Sequence, residues 1–170
     1  LEFRRVLFRS SYWNPIEKYG VEKFAADMAE SGGSGTITPD LTIEEAAPWI
    51  SACKSNSLNS IFVIAPSSND QSLEKVLKNC GGFVYAASLM GVTGARAQVS
   101  NAAEVLVKRA RKYTKLPICV GLGVSTAEQA AGVAKYADGV IVGSAFINAV
   151  LQAKDFQSGL TAVTKLRSEE

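Results

Sequence analysis

Residues 118–145 read ICVGLGVSTAEQAAGVAKYADGVIVGSA. A continuous apolar run, Ile118-Cys119-Val120, meets glycine. Helix-start chemistry comes next at Ser125-Thr126-Ala127-Glu128, which has the form of a capping box and predicts a helix to about Tyr136. A second apolar run, Val140-Ile141-Val142, again meets glycine, and a further helix is expected from Ala145 to Ala153. The runs do not alternate apolar with polar residues, so both faces of each strand must be covered. That pattern marks parallel strands joined by helical crossovers.

The same unit recurs upstream. Asn14-Pro15 opens a helix with proline where its missing N–H costs nothing. Ile16, Val21, Phe24, Ala25 and Met28 carry its apolar stripe until Gly32-Gly33. Ser34–Thr38 predicts a short strand ending in Pro39-Asp40. Thr42-Ile43-Glu44-Glu45 reads as a capping box, with Thr42 as cap and Glu45 reaching back, for a helix to about Ser55. Ser60–Ala65, SIFVIA, predicts one strand. Ser68-Asn69-Asp70-Gln71 reads as a further box, with its helix running to Cys80, and Phe83–Ala87 is the next strand. A helix is expected from about Asn101 to Tyr113, and the residues after Ala153 suit another. Parallel strands with helical crossovers build either an open doubly wound sheet or a (β/α)8 barrel. A complete barrel needs about 250 residues, so five units amount to about five-eighths of one.

The first ten residues, LEFRRVLFRS, fit neither a strand nor a helix pattern and differ in composition from the rest of the chain. They are read as a non-native linker or adapter segment outside the fold, leaving residues 11–170 as a partial barrel domain. That segment carries Arg4, Arg5 and Arg9 against Glu2, which accounts for the whole net charge of +2. Neutrality of the remainder excludes a general basic footprint for nucleic acid. The chain has no histidine, which excludes Ser-His-Asp and Cys-His nucleophiles and any metal site that needs imidazole. Cys53, Cys80 and Cys119 are too scattered for a zinc cluster and read as buried or half-buried thiols of a reducing compartment. No apolar run approaches the roughly 20 residues of a membrane span.

In parallel α/β folds, ligands meet the loops after the strand C-termini. The loops Gly121-Leu122-Gly123-Val124-Ser125 and Gly143-Ser144-Ala145 each join glycine to a hydroxyl residue and a helix start. Glycine lets backbone N–H groups approach a ligand, and a helix N-terminus adds partial positive charge. Together these loops suit one phosphate. The dinucleotide fingerprint is absent, because residues 121–126 lack its third glycine. Residues 91–96, GVTGAR, suit either a mobile lid or a solvated connection. Asp40 is the only carboxylate directly at a strand's C-terminal end, where an isolated Asp more often caps or turns. Asp138 precedes a strand and so lies on the opposite, stabilising face. Tyr85, near the C-terminal end of its strand, suits either a pocket wall or a core tyrosine. No acid–base pair is legible.

Several of these stretches together resemble the tryptophan synthase alpha chain family. They are Tyr12-Trp13-Asn14-Pro15, Thr38-Pro39-Asp40-Leu41-Thr42, Ile61–Pro66, Gly82–Arg96, Gly121–Ser125 and Val142–Ala145, collinear from Ser11 to about Leu151. The resemblance implies a (β/α)8 barrel that cleaves indole-3-glycerol phosphate to indole and glyceraldehyde 3-phosphate by a retro-aldol reaction. It implies that indole passes to a beta chain, which holds pyridoxal phosphate, in an α2β2 complex; this chain itself would carry no cofactor. Gly94, Gly123, Gly143 and Ser144 would hold the phosphate, and Tyr12 and Tyr85 would line the substrate pocket. Thr93 would sit in the lid. Asn14 would face the beta chain. Leu122 stands where some members place an aromatic residue against indole, and Leu89 where many have a polar one. The resemblance begins at the end of the third strand. It therefore implies roughly strands 4–8, with the family's catalytic Glu and Asp upstream of Ser11 and the isolated chain inactive. The implied location is the cytoplasm, or the plastid of a plant. Two alternatives remain open on the residues alone: another phosphate-binding barrel, such as a sugar-phosphate isomerase or epimerase, and a non-catalytic half-barrel that binds phosphate.

Overall fold

The run Ser60–Ala65 is not one strand. In the computed structural model, which describes residues 8–87, 101–121 and 123–168, it breaks at Phe62 into β3 (Asn59–Ile61) and β4 (Val63–Ile64). β3 closes a three-stranded sheet in which β1 (Phe8–Ser10) and β2 (Gly35–Ile37) precede it. Both pairings are parallel, with Phe8 opposite Gly35 and Gly35 opposite Asn59. β4 instead lies beside β5 (Val84–Ala87), and the Tyr85 N–H donates to the Phe62 carbonyl at 3.3 Å. At the break the Phe62 N–H turns to the Cys80 Sγ, 3.4 Å away, while the Cys80 thiol donates to the Phe83 carbonyl at 3.2 Å. One sulfur thus satisfies two backbone groups that a continuous ladder would have paired.

The chain divides into two units. The first holds residues 8–64, 68–85 and 112–116. Its helices are α1 (Trp13–Tyr19), α2 (Val21–Glu30), α3 (Ala47–Ser55) and α4 (Asp70–Asn79). The single helix expected over the first apolar stripe is two, because Gly20 adopts φ 98°, a backbone that breaks the helix and favours glycine. The Thr42 box does not form. Thr42 Oγ1 donates to Glu45 in an isolated turn, and α3 starts at Ala47 with Pro48 in its first turn. For α4 the cap is Asn69 rather than Ser68; its side chain accepts from Ser72 N–H. Ile16, Trp49, Cys53 and Phe62 centre the core, with the Trp13 and Phe24 rings against Trp49. Phe8–Ser10, expected to lie outside the fold, form β1, and the Phe8 ring meets Phe83 edge-on at 5.2 Å.

The second unit holds residues 65–67, 86–87, 101–111, 117–121 and 123–168. Its strand order runs from the end of β5 through β6 (Ile118–Gly121) to β7 (Gly139–Val140), with β6 and β7 parallel and Val120 opposite Val140. Around them are α5 (Asn101–Ala110), α6 (Ala127–Ala134), α7 (Ser144–Leu151) and α8 (Phe156–Ser168). Leu106, Val107, Ile118, Val120 and Val133 are buried. α7 buries no residue, and Ile147, Leu151 and Phe156 are exposed. Asp138 accepts the Ile118 N–H at 2.8 Å and pairs with Arg111 at 2.8 Å, as its place before a strand suggests. No helix among the described residues is long and apolar enough to cross a membrane.

All three cysteines are free, Cys53 buried and the other two half-buried. Burial pushes the Cys53 thiol up to about 12 and the Cys80 thiol up to about 11, so neither is a nucleophile at neutral pH.

Two outcomes test this packing. Thr36 is fully buried in β2, and its hydroxyl has no hydrogen-bond partner among the described residues. Thr36→Val removes that stranded group and should raise unfolding stability by about 1 kcal/mol, read from urea midpoints. The Ile118 N–H first, and Arg111 second, hold the Asp138 carboxyl below its ordinary value. A depressed folded-state pKa gives stability that is present above the unfolded value of about 3.9 and lost as pH falls through the folded one. Asp138→Asn should therefore lower stability at neutral pH and flatten the acid limb of a pH series of urea melts. An unchanged acid limb would remove Asp138 from that account.

Candidate functional site

In the first unit, β1 leads through Ser11, whose N–H donates to the Ile37 carbonyl, into Tyr12. Tyr12 is extended (φ −70°, ψ 156°) and its ring is 69% exposed. It precedes α1 as the N-cap residue and offers the helix no side-chain acceptor. The acceptor comes from the loop after β2: both carboxylate oxygens of Asp40 receive the Trp13 N–H, at 2.9 and 3.0 Å. Asp40 is thus a helix cap delivered across 27 residues. Asn14 is exposed in the first turn of α1. Tyr85 is half-buried in β5, on the face opposite the buried Val84 and Ala86.

In the second unit the loop after β6 folds back on itself. Gly123 adopts φ 90°, and Val124 is buried. Gln129 Oε1 then accepts the Ser125 N–H at 2.8 Å, the Ser125 hydroxyl at 3.2 Å and the Thr126 N–H at 3.2 Å. Thr126 Oγ1 accepts the Gln129 N–H in return, completing a capping box one residue later than expected. Glu128, expected to close the box, bonds its own backbone N–H and then the Thr126 hydroxyl, which lowers its pKa. The N-terminus of α6 is therefore internally satisfied.

The loop after β7 differs. Gly143 precedes α7 and has no side chain to cap with. Its carbonyl accepts from Phe146 and Ile147, at 3.0 and 3.2 Å. The first turn of α7 holds no acidic residue, and no side chain caps it. A Cβ added at Gly143 would meet nothing within 4 Å, so packing does not require glycine there. Among the described residues no side chain caps the Ser144 and Ala145 N–H groups, which helix geometry leaves unpaired and partially positive. The two loops adjoin along a cleft of about 20 Å³ lined by Ser125, Thr126, Val142, Ala145 and Phe146, with Leu166 of α8. That is room for about one water, so the cleft itself holds no larger ligand.

Of the residues singled out from sequence, Thr93, Gly94 and Leu122 lie outside the described residues, as does Leu89. Among the described residues, no three His, Cys, Asp or Glu side chains are grouped to hold a metal ion. Sequence reasoning missed the reach of Asp40 to α1, for which no local signal exists. It also missed Gln129, for which Thr126-x-x-Gln129 was a signal of equal standing to Ser125-x-x-Glu128.

Residues 6–169 match the family model described as Tryptophan synthase alpha chain. The tryptophan synthase alpha chain of Streptomyces avermitilis is 55% identical over 159 residues, covering 94% of this chain and 57% of that protein. Mycobacterium tuberculosis tryptophan synthase superposes with a TM-score of 0.85 at 46% identity, covering 94% of this chain and 60% of that one. The a2b2 tryptophan synthase complex of the hyperthermophile Pyrococcus furiosus gives a TM-score of 0.84 at 31% identity, covering 95% of this chain and 65% of that one. The parallel α/β fold of barrel type expected from the sequence is the fold of these structures. This chain spans 54 to 60% of the length of curated relatives it matches.

Proposed function

As this chain belongs to the tryptophan synthase alpha chain family, we propose that it supplies the phosphate-binding portion of an enzyme of tryptophan biosynthesis. The reaction is the retro-aldol cleavage of indole-3-glycerol phosphate to indole and glyceraldehyde 3-phosphate. One observation carries the reading: α7 begins on a glycine that packing does not need, and among the described residues no side chain caps its first amides. A phosphate dianion there would accept the Ser144 and Ala145 N–H groups and meet the positive end of the helix, as anions do at helix N-termini. Gly143 would allow the close approach and Ser144 could add its hydroxyl. Gly123 and Gly94 are assigned to the same phosphate by the resemblance, Tyr12, Tyr85 and Leu122 to the indole pocket, and Thr93 to the lid.

Proton transfer is not assigned to any residue of this chain. The family's glutamate and aspartate fall, on the resemblance, before Ser11. We therefore expect the chain to bind the phosphorylated ligand and to release no indole from it. The partner is a beta chain carrying pyridoxal phosphate, met on the side of Asn14, and the setting is the cytoplasm or a plastid. The family match sets aside the sugar-phosphate isomerase alternative.

Two variants separate anion binding from helix stability. Ser144→Asp places a negative charge where the phosphate would sit. It should stabilise α7 by about 0.5 kcal/mol and weaken binding of glycerol 3-phosphate at least about tenfold. Thr126→Ala should cost about 1 kcal/mol of stability and leave that affinity unchanged, because α6 caps itself. Calorimetric titration beside urea melts reads both, and equal affinity in the Ser144→Asp variant would remove α7 from the site. In a single-turnover assay with indole-3-glycerol phosphate, the chain should form no indole. Indole release would place an acid–base pair within these 170 residues.

A further inference from the structure

We propose that Asp40 is a positioning residue that holds Tyr12 in place through the Trp13 backbone N–H, and that it supports ligand affinity through that ring. The ligand half of this inference rests on the proposed function, which makes Tyr12 a wall of the substrate pocket.

Tyr12 has little of its own to hold it. The residue is exposed, and its carbonyl accepts the exposed Ser11 hydroxyl at 3.1 Å. It stands before α1, a helix of seven residues that is too short to sustain its own first turn. Without an external acceptor the Trp13 amide would fray and Tyr12 would move with it. Asp40 supplies that acceptor from a firm base. Before it, the Thr38 N–H donates to the Ile61 carbonyl at 3.4 Å, tying the end of β2 to β3. After it, Leu41 is buried in the core of the unit. On the helix side, the Trp13 ring packs edge-on against the fully buried Trp49, 6.1 Å between centroids. Trp13 is thus held at its amide and at its ring, and Tyr12 is its covalent neighbour.

The strand register places both ends of this clamp together. Ser10 lies opposite Ile37, so Tyr12 and Asp40 leave paired parallel strands at the same C-terminal end, where ligands meet such folds. The carboxylate also faces the positive end of α1, which favours the contact. An acceptor at this position is what the geometry requires; a negative charge strengthens the contact without being essential. That separates Asp40→Asn, which keeps a side-chain oxygen, from Asp40→Ala, which does not.

The test combines calorimetric titration of the chain with indole-3-propanol phosphate and ¹⁹F NMR of 3-fluorotyrosine-labelled protein, with Tyr12→Phe assigning the Tyr12 signal. Asp40→Ala should weaken binding about tenfold, the loss of one charge-assisted hydrogen bond, and Asp40→Asn should retain most of the affinity. In a Tyr12→Ala background, Asp40→Ala should cause no further loss, because its effect passes through the ring. Unchanged affinity in Asp40→Ala, or a full additional loss in the Tyr12→Ala background, would overturn the inference. If the unsubstituted chain fails to bind the probe, the pocket reading falls instead, and the ligand-free spectrum decides the positional claim. One narrow Tyr12 signal in the unsubstituted chain and in Asp40→Asn, broadened or split in Asp40→Ala, supports it. The same line in all three refutes it.

Discussion

The first amides of every helix must find an acceptor outside the helix, and four helices here show different ways of meeting that demand. α4 is capped by Asn69, which precedes it. α6 is capped twice over by Thr126 and Gln129. α1 borrows Asp40 from a distant loop. α7, like α2, follows a glycine and has no capping side chain. The first three arrangements give first-turn amides acceptors from the protein itself and so fix their loops. The fourth is unfinished at a place where the family resemblance also puts a phosphate.

The sheets add a second constraint. Parallel pairing puts successive strand C-termini at one end, and a small displacement of register would move every loop beyond it. Gly35 pins the register of β2: a Cβ there would lie 2.2 Å from the Asn59 carbonyl oxygen, so the two strands approach more closely than any side chain permits. Cys80 pins the point where β3 gives way to β4, by taking up the Phe62 N–H. Asp138 anchors the start of β6 from the opposite end. These residues touch no proposed ligand position, but they set where Tyr12 and Gly143 emerge from their strands.

Much of this was legible in the sequence, and the failures have particular causes. β5, β6 and α5 follow directly from apolar runs and helical spacing, and the glycine-to-hydroxyl loops after β6 and β7 stand where parallel strands must present them. The apolar stripe from Ile16 to Met28 is continuous, so periodicity could not reveal the break at Gly20, which is a matter of backbone conformation. SIFVIA has uniform strand chemistry; its division depends on a sulfur 18 residues away. Two overlapping capping signals at 125–129 differ only in which carboxylate or amide reaches back. Phe8–Ser10 look unlike a strand by alternation, yet a neighbour with free edge groups at Gly35–Ile37 recruits them. The specific family motif GVTGAR was legible only as sequence, since its residues lie outside those the structure describes.

The uncapped start of α7 also has a thermodynamic reading. This helix buries none of its residues, and it leans on α8 where Gly159 allows a close approach to Val150. A bound anion would complete its first turn as a borrowed cap, much as Asp40 completes that of α1. Ligand occupancy and local folding would then be linked variables, each promoting the other by mass action. The phosphate end of the molecule would be firmest when loaded, and its amide exchange would report the concentration of ligand around it.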